Sequence, residues 1–355
     1  MRDSPIPKIL AARRRKVQPT WVKLTDAKLL ELRFRDLDLA VDGTWLETCL
    51  LTLNGELAAR GILARPHAWI SDEWFSPDNT PGISFPFYLA HPRLAKLERR
   101  MMLDVEGGTK RDCLKILRHE AGHVVQHAYG LHRRRRWQIL FGRSSTPYPE
   151  RYRPNPTSKN YVQHLRRWYA QCHPDEDFAE TFAVWLTPRS NWRKRYEGWP
   201  ALEKLTYVDE LMAGIAGERP ILTSRIAVDP ASKLTMTLGD HYARKLKHYA
   251  VHAPAKFDGE LRRIFSAEPR HRGSPPASTF IRRNRAEIRR SVSRRTGAYQ
   301  ITLDAVLDDV IDRCRALKLR APGSERRLRT DLTAMLADKS VHSLYSSSRK
   351  QWIAV

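Results

Sequence analysis

Two histidines four residues apart, with a glutamate directly after the first, are the residues of this chain best suited to chemistry. They lie in "LRHEAGHVVQHAYG", residues 117–130. On a helix, His119 and His123 are one turn apart, so both imidazoles can reach one cation from the same face. Glu120 projects about 100° round from His119 and can take a proton from a water molecule that the cation activates. The pattern indicates a zinc hydrolase; the alternative is a helix that is merely rich in histidine.

The sequence around this motif predicts a helix that can hold it in place. Thr109 can cap the helix, Asp112 lies in its first turn, and Gly130 can end it. An apolar stripe at helical spacing is expected to face the core, and it consists of Leu114, Leu117, Ala121, Val124 and Ala128. His119 and His123 lie beside this stripe, so the helix can be anchored on one face and present its histidines on another.

A catalytic zinc site needs a third protein ligand and an open position. His127 cannot share a metal with His119, because eight residues of helix separate them by about 12 Å. The best source is the predicted helix "HPDEDFAETFAVWL", in which Glu176 and Glu180 are four residues apart and share one face. One carboxylate can bind zinc while the other accepts the free N–H of a ligand histidine. Asp175 and Asp177 are explained by the positive end of the helix dipole.

The other predicted elements indicate an α+β chain that is mainly helical. "HAWIS" and "GISFPFYL", separated by a turn-rich stretch, predict a small antiparallel sheet, and "NYVQHLRRWYAQ" predicts another helix. Composition divides the chain into a basic flexible arm (1–20), a main domain (21–252), a linker (253–279) and a basic C-terminal helical region (280–355). The last of these is expected to contain two or three helices.

The charge of the chain is strongly positive. Its 63 basic and 39 acidic residues give a net charge of +24, which favours acidic or polyanionic partners. Ten basic residues against one acid give residues 132–167 a local net of +9. The N-terminus lacks the apolar region of a secretory signal, and no apolar run is long enough to span a membrane. The four separated cysteines favour reduced thiols, so a cytoplasmic location is expected.

Three segments, in this order, carry a resemblance to a known family: "EWFSPDNTPGISFPFYLAHPRLAKLERRMML", "LRHEAGHVVQH" and "HPDEDFAETFAVWLT". Over residues 20–250 the chain resembles a group of bacterial zinc-binding metallopeptidases of the gluzincin type. The resemblance implies a zincin-like core with one Zn²⁺, in which Glu176 is the third ligand and Glu180 supports it. It also implies an oxyanion-stabilising role for Tyr169, and that a substrate peptide could pair with the strand "GISFPFYL". His173 is a minor alternative as ligand.

Two hypotheses of function follow. The first is a zinc metallopeptidase that acts on protein or peptide substrates, with Glu120 as general base. In this hypothesis the +9 segment either gives a preference for acidic peptides or forms an intramolecular gate. The alternative is a basic protein that associates with nucleic acid and whose metal site is structural or vestigial. No nucleic-acid-binding motif is evident in the sequence, and a structural zinc site would more often use cysteines.

Overall fold

The computed structural model describes residues 18–149, 154–249 and 257–343. The predicted N-terminal arm therefore lies outside the described residues, except for its last three. In these ranges the chain forms thirteen α-helices: α1 (Asp26–Leu30), α2 (Trp45–Ala59), α3 (Pro92–Met102), α4 (Lys110–Ala128), α5 (Arg135–Phe141), α6 (Pro174–Leu186), α7 (Trp192–Arg195), α8 (Ala201–Gly214), α9 (Leu238–Tyr249), α10 (Asp258–Ile264), α11 (Ala277–Thr296), α12 (Gln300–Ala316) and α13 (Glu325–Ser343). None of the helices in the described ranges is both long and apolar enough to cross a membrane.

The fold is mainly helical with one small sheet, as predicted, but the direction of that sheet was predicted wrongly. Strands β1 (His67–Ser71) and β2 (Gly82–Pro86) pair in parallel, with His67 opposite Gly82 and Ser71 opposite Pro86. The connection 72–81 is not a tight hairpin. It folds back so that Phe75 forms an antiparallel bridge to Ser84. The chain then returns to the end of the sheet where β1 begins, so that β2 starts beside His67. A connection of this length permits parallel pairing, whereas a two-residue turn would not.

The helices α4 and α6 pack closely through two small residues. A β-carbon on Gly122 would lie 2.7 Å from Cα of Ala179, which is closer than atoms in contact can approach. The glycine therefore lets the backbones of the two helices approach each other at mid-helix. Around this contact, Leu117, Ala121, Phe178 and Phe182 are buried, so the pair forms part of the main hydrophobic core. This packing brings one face of α4 against one face of α6.

The predicted helix at 160–171 is only partly present. A 3-10 helix covers Arg166–Gln171, and the residues before it are irregular. The reason lies in the backbone N–H groups of His164 and Leu165, which donate to Oε2 of Glu180 at 3.2 and 2.7 Å. Because those donors are used by a side chain of α6, they are not available for the hydrogen bonds of an α-helix.

The C-terminal helices have a hydrophobic core of their own. This second cluster draws its residues from 257–336, while the main cluster draws on 21–242. Within residues 277–343, the part of the C-terminal region that the structure describes, the chain forms three helices, α11, α12 and α13. Within the stretch predicted as a linker, α10 forms, and Leu261 and Phe265 are buried in the second cluster. The division of the chain into domains stays a prediction.

Candidate metal centre

The helix α4 holds its two histidines as the sequence predicted. The side chain of Thr109 accepts the backbone N–H of Asp112 and caps the helix, and Gly130 follows its end with a positive φ of 60°. Leu117, Ala121 and Val124 are buried on the core side. His119 and His123 are also buried, with 2% and 5% of their surface exposed, so the protein shields both imidazoles from bulk water.

The helix α6 presents Glu176 and Glu180 toward those histidines. It begins at Pro174, and Nδ1 of His173 accepts the backbone N–H of Asp175 as its N-cap. Both glutamates are completely buried. A buried carboxylate is costly unless it is paired, so two of them on one helix face need partners inside the protein. The histidines of α4 are those partners.

Three ligand atoms from the two helices form a small triangle. Nε2 of His119 and Nε2 of His123 are 3.2 Å apart, and Oε2 of Glu176 lies 3.0 Å from the first and 3.3 Å from the second. Two donors bound at about 2.0–2.1 Å to a tetrahedral zinc ion lie roughly 3.3 Å apart. Oε2 of Glu176 is buried and has no hydrogen-bond partner among the residues that the structure describes. The size of the triangle and the chemistry of its donors therefore fit a zinc ion.

Glu180 is not part of the triangle but supports it. Its Oε1 lies 3.0 Å from Nδ1 of His119, and its Oε2 accepts the backbone N–H groups of His164 and Leu165. Because a carboxylate only accepts, a neutral His119 bound to a metal would carry its proton on Nδ1 and offer the lone pair of Nε2 to the cation. Burial would raise the pKa of Glu180, but its hydrogen bonds with His119 and the backbone hold it below the ordinary value.

The buried histidines and glutamates of the site shift one another's pKa values. Burial opposes a charge on His119, yet its close contacts with the carboxylates of Glu176 and Glu180 outweigh that cost and raise its pKa to about 10. Burial would likewise raise the pKa of Glu176, but the positive charge of His123 and the close contacts with both histidines hold it well below the ordinary value. The two buried carboxylates thus supply negative charge where a cation is expected to bind.

Glu120 lies at the same site with a free carboxylate oxygen. It is buried, and its Oε2 has no hydrogen-bond partner among the described residues. Burial raises its pKa, an effect that the charges of His119 and His123 partly offset. Its backbone carbonyl accepts the hydroxyl of Ser76 at 3.3 Å. A carboxylate whose pKa is raised above its ordinary value, and which keeps one oxygen free, suits a general base.

Two tyrosines lie near the ligands, and the sequence pointed to only one of them. The ring of Tyr169 lies 5.6 Å from the ring of His119 and is 3% exposed. The hydroxyl of Tyr148 donates to Oε1 of Glu176 at 2.8 Å. Tyr148 was missed because it lies in the irregular segment between α5 and α6, where no periodicity indicates where a side chain points. Its distance of 28 residues from Glu176 carries no signal either.

The two other histidines considered from the sequence lie outside the triangle. Nε2 of His127 is 3.1 Å from Oδ1 of Asp78, and its ring lies 5.2 Å from that of His132. His173 caps α6, and its Nε2 lies 2.6 Å from the carbonyl oxygen of Thr146. Each has a local role that accounts for its position, so neither is needed as a ligand.

The matched family agrees with this geometry. Residues 95–193 match the model of a family described as "Putative zinc-binding metallo-peptidase", and the matched segment contains α4 and α6 in full. A search of the curated proteins and a search of the solved structures found no match. The resemblance to zinc-binding metallopeptidases is therefore confirmed over residues 95–193, which match this family model, while the gluzincin type stays a prediction.

Proposed function

We propose that the protein is a zinc-dependent metallopeptidase that hydrolyses peptide bonds. The observation that carries this proposal is the buried triangle formed by Nε2 of His119, Nε2 of His123 and Oε2 of Glu176, with edges of 3.0–3.3 Å. Three protein donors leave one position of a tetrahedral zinc ion open, which is typical of catalytic rather than structural sites. The family match over the same residues points to the same class of reaction.

Each residue of the site has a proposed role. His119, His123 and Glu176 would hold the ion, and Glu180 would orient His119 through its Nδ1–H. A zinc ion bound there would act as a Lewis acid that lowers the pKa of a water molecule and polarises a carbonyl. The free Oε2 of Glu120 would accept the proton of the attacking water and pass it to the leaving amine nitrogen.

Two further predictions from the sequence, the role of Tyr169 and the class of substrate, are part of this proposal. Tyr169 is the residue proposed to stabilise the negatively charged oxygen of the transition state, since its ring lies against the ligand His119. The substrate is proposed to be a protein or peptide. A preference for acidic peptides, a cytoplasmic location and the alternative of a nucleic-acid-associated protein stay predictions from the sequence.

The experiment that tests the proposal compares the wild type with Glu120→Gln on a peptide library. Gln keeps the size of the side chain but cannot accept a proton, so cleavage should fall by at least ~100-fold. Metal analysis of both proteins is the control, because Glu120 is not proposed as a ligand and zinc content should be equal. Equal cleavage by the two proteins, at equal zinc content, would refute Glu120 as the base.

A further inference from the structure

The segment 142–149 lies over the first turn of α6, which carries the third proposed ligand. A β-carbon on Gly142 would lie 3.0 Å from Cγ of Pro174, so the segment touches this turn at its start. Three of its residues then each bond one residue at the start of α6: Ser144 with Asp175 at 3.0 Å, Thr146 with His173 at 2.6 Å, and Tyr148 with Glu176 at 2.8 Å. Most of the segment is otherwise exposed. These hydrogen bonds tie an exposed segment to the metal site.

The ring of Tyr148 is held in a defined orientation. It stacks on the ring of His173, with 3.8 Å between centroids and 12° between planes. His173 is itself fixed, because its Nδ1 accepts the backbone N–H of Asp175 and its Nε2–H donates to the carbonyl oxygen of Thr146. A tyrosine on such a platform is expected to keep one rotamer, and its hydroxyl then meets one particular oxygen of Glu176.

The two oxygens of Glu176 have different surroundings. Oε1 accepts the hydroxyl of Tyr148, whereas Oε2 faces both histidine nitrogens and has no hydrogen-bond partner in the described part of the chain. We propose that Tyr148 is a positioning residue of the metal site, whose hydroxyl holds Oε1 of Glu176 and makes this carboxylate a ligand through Oε2 alone. This inference rests on the proposed function, since it assumes that the triangle holds a metal.

The chemical consequence concerns the open position of the metal. A carboxylate can bind a cation through one oxygen or through both, and binding through both would add a fourth protein donor atom to the two histidine nitrogens. Oε1 of Glu176 would then compete for the position that a catalytic site leaves open to water or substrate. A hydrogen bond from Tyr148 to Oε1 disfavours binding through both oxygens, because it occupies one lone pair of Oε1 and holds the carboxylate in one orientation. Tyr148 therefore preserves the vacancy that hydrolysis requires, besides stabilising the ligand in its orientation.

The test is Tyr148→Phe, with Tyr207→Phe as the matched control. The hydroxyl of Tyr207 is buried without a hydrogen-bond partner among the described residues, so the control removes the same atom from another buried tyrosine. Tyr148 is 43% exposed and keeps its ring in the variant, so the fold should survive. Zinc affinity is measured by competition with a chromogenic chelator. Partners of metal ligands typically change affinity by about 10–100-fold, and we expect a loss in that range for Tyr148→Phe alone.

A second readout separates positioning from a general loss of structure. Cobalt(II) bound in place of zinc gives strong visible bands in four-coordinate sites and weaker ones at higher coordination number. Tyr148→Phe should weaken these bands, since Oε1 becomes free to bind, and Tyr207→Phe should leave them as in the wild type. The inference requires both changes. Unchanged zinc affinity or an unchanged cobalt spectrum in Tyr148→Phe overturns it while the metal site stands. A wild type that binds neither zinc nor cobalt overturns the proposed function as well.

Discussion

Replacing Gly122 by alanine should separate α4 from α6 and so pull the proposed ligands apart. The added β-carbon would lie 2.7 Å from Cα, 3.1 Å from Cβ and 3.1 Å from the carbonyl oxygen of Ala179. Carbon atoms in contact lie roughly 3.5–4.0 Å apart, so the helices must move apart by about 1 Å. None of the atoms it meets is the end of a flexible side chain, which leaves movement of a helix as the only relief.

The magnitude follows from the triangle of ligand atoms. Glu176 is on α6 and both histidines are on α4, with distances of 3.0 and 3.3 Å between them. A shift of about 1 Å would stretch these distances to roughly 4 Å, beyond the edge of a tetrahedral zinc site, where distances are held to about ±0.2 Å. We expect at least a ~10-fold loss of zinc affinity. Overpacking of this kind should also lower the free energy of unfolding by about 1–3 kcal/mol.

The assay is a pair of measurements on metal-free protein, namely urea unfolding and zinc competition with a chelator. The matched control is Gly55→Ala in α2, where a β-carbon would meet nothing within 4 Å. There, alanine should raise the free energy of unfolding by about 0.5–1 kcal/mol, because it is the better helix former, and zinc affinity should not change. If Gly122→Ala behaved like Gly55→Ala in both measurements, the close approach of α4 and α6 would not be what sets the ligand geometry.

Two further predictions concern the side of the site around Glu180. In Glu180→Gln the new amide NH₂ must face a donor, because His119 Nδ1–H and two backbone N–H groups surround the carboxylate. Zinc affinity should therefore fall about 10–100-fold. A chelator titration that gives an affinity within twofold of the wild type would contradict this prediction. Burial lowers the pKa of His164 to about 4, below its value of about 6.5 in the unfolded chain. The neutral ring therefore contributes stability that is fully present above pH 6.5 and is lost as the pH falls toward 4. His164→Gln should remove up to about 3 kcal/mol of this pH dependence in urea unfolding of metal-free protein, and an unchanged slope between pH 7 and 4.5 would exclude His164 as its source.

The sequence predicted the parts of the site that depend on a single helix. The cap at Thr109 and the apolar stripe define α4, and a four-residue spacing then places His119 and His123 on one face. The same reasoning identified Glu176 and Glu180 as a pair on one face of α6. Which of the two reaches the triangle depends on how α6 is set against α4, and spacing along a helix contains no such information. The resemblance to a family supplied that assignment as an implication. It stays a prediction, although Oε2 of Glu176 lies 3.0 and 3.3 Å from the two histidine nitrogens.

The features that the sequence did not yield depend on contacts between distant, irregular segments. Parallel pairing of β1 and β2 depends on the path of residues 72–81, whose turn residues are compatible with a hairpin as well. The helix expected at 160–171 is shortened because Glu180 takes the N–H groups of His164 and Leu165. In both cases local propensity was correct but incomplete, since a partner from elsewhere in the chain decided the outcome.

The acidic residues on either side of Glu176 illustrate how such partners fix a site. From the sequence, Asp175 and Asp177 were explained by the helix dipole alone. In the structure Asp175 accepts from the side-chain amide of Gln126 on α4 at 2.7 Å, and Asp177 pairs with Lys204 on α8 at 2.5 Å. The two partners lie on different neighbouring helices, so together they set the rotation of α6 about its own axis. Because Glu176 lies between them, that rotation aims its carboxylate at the two histidines.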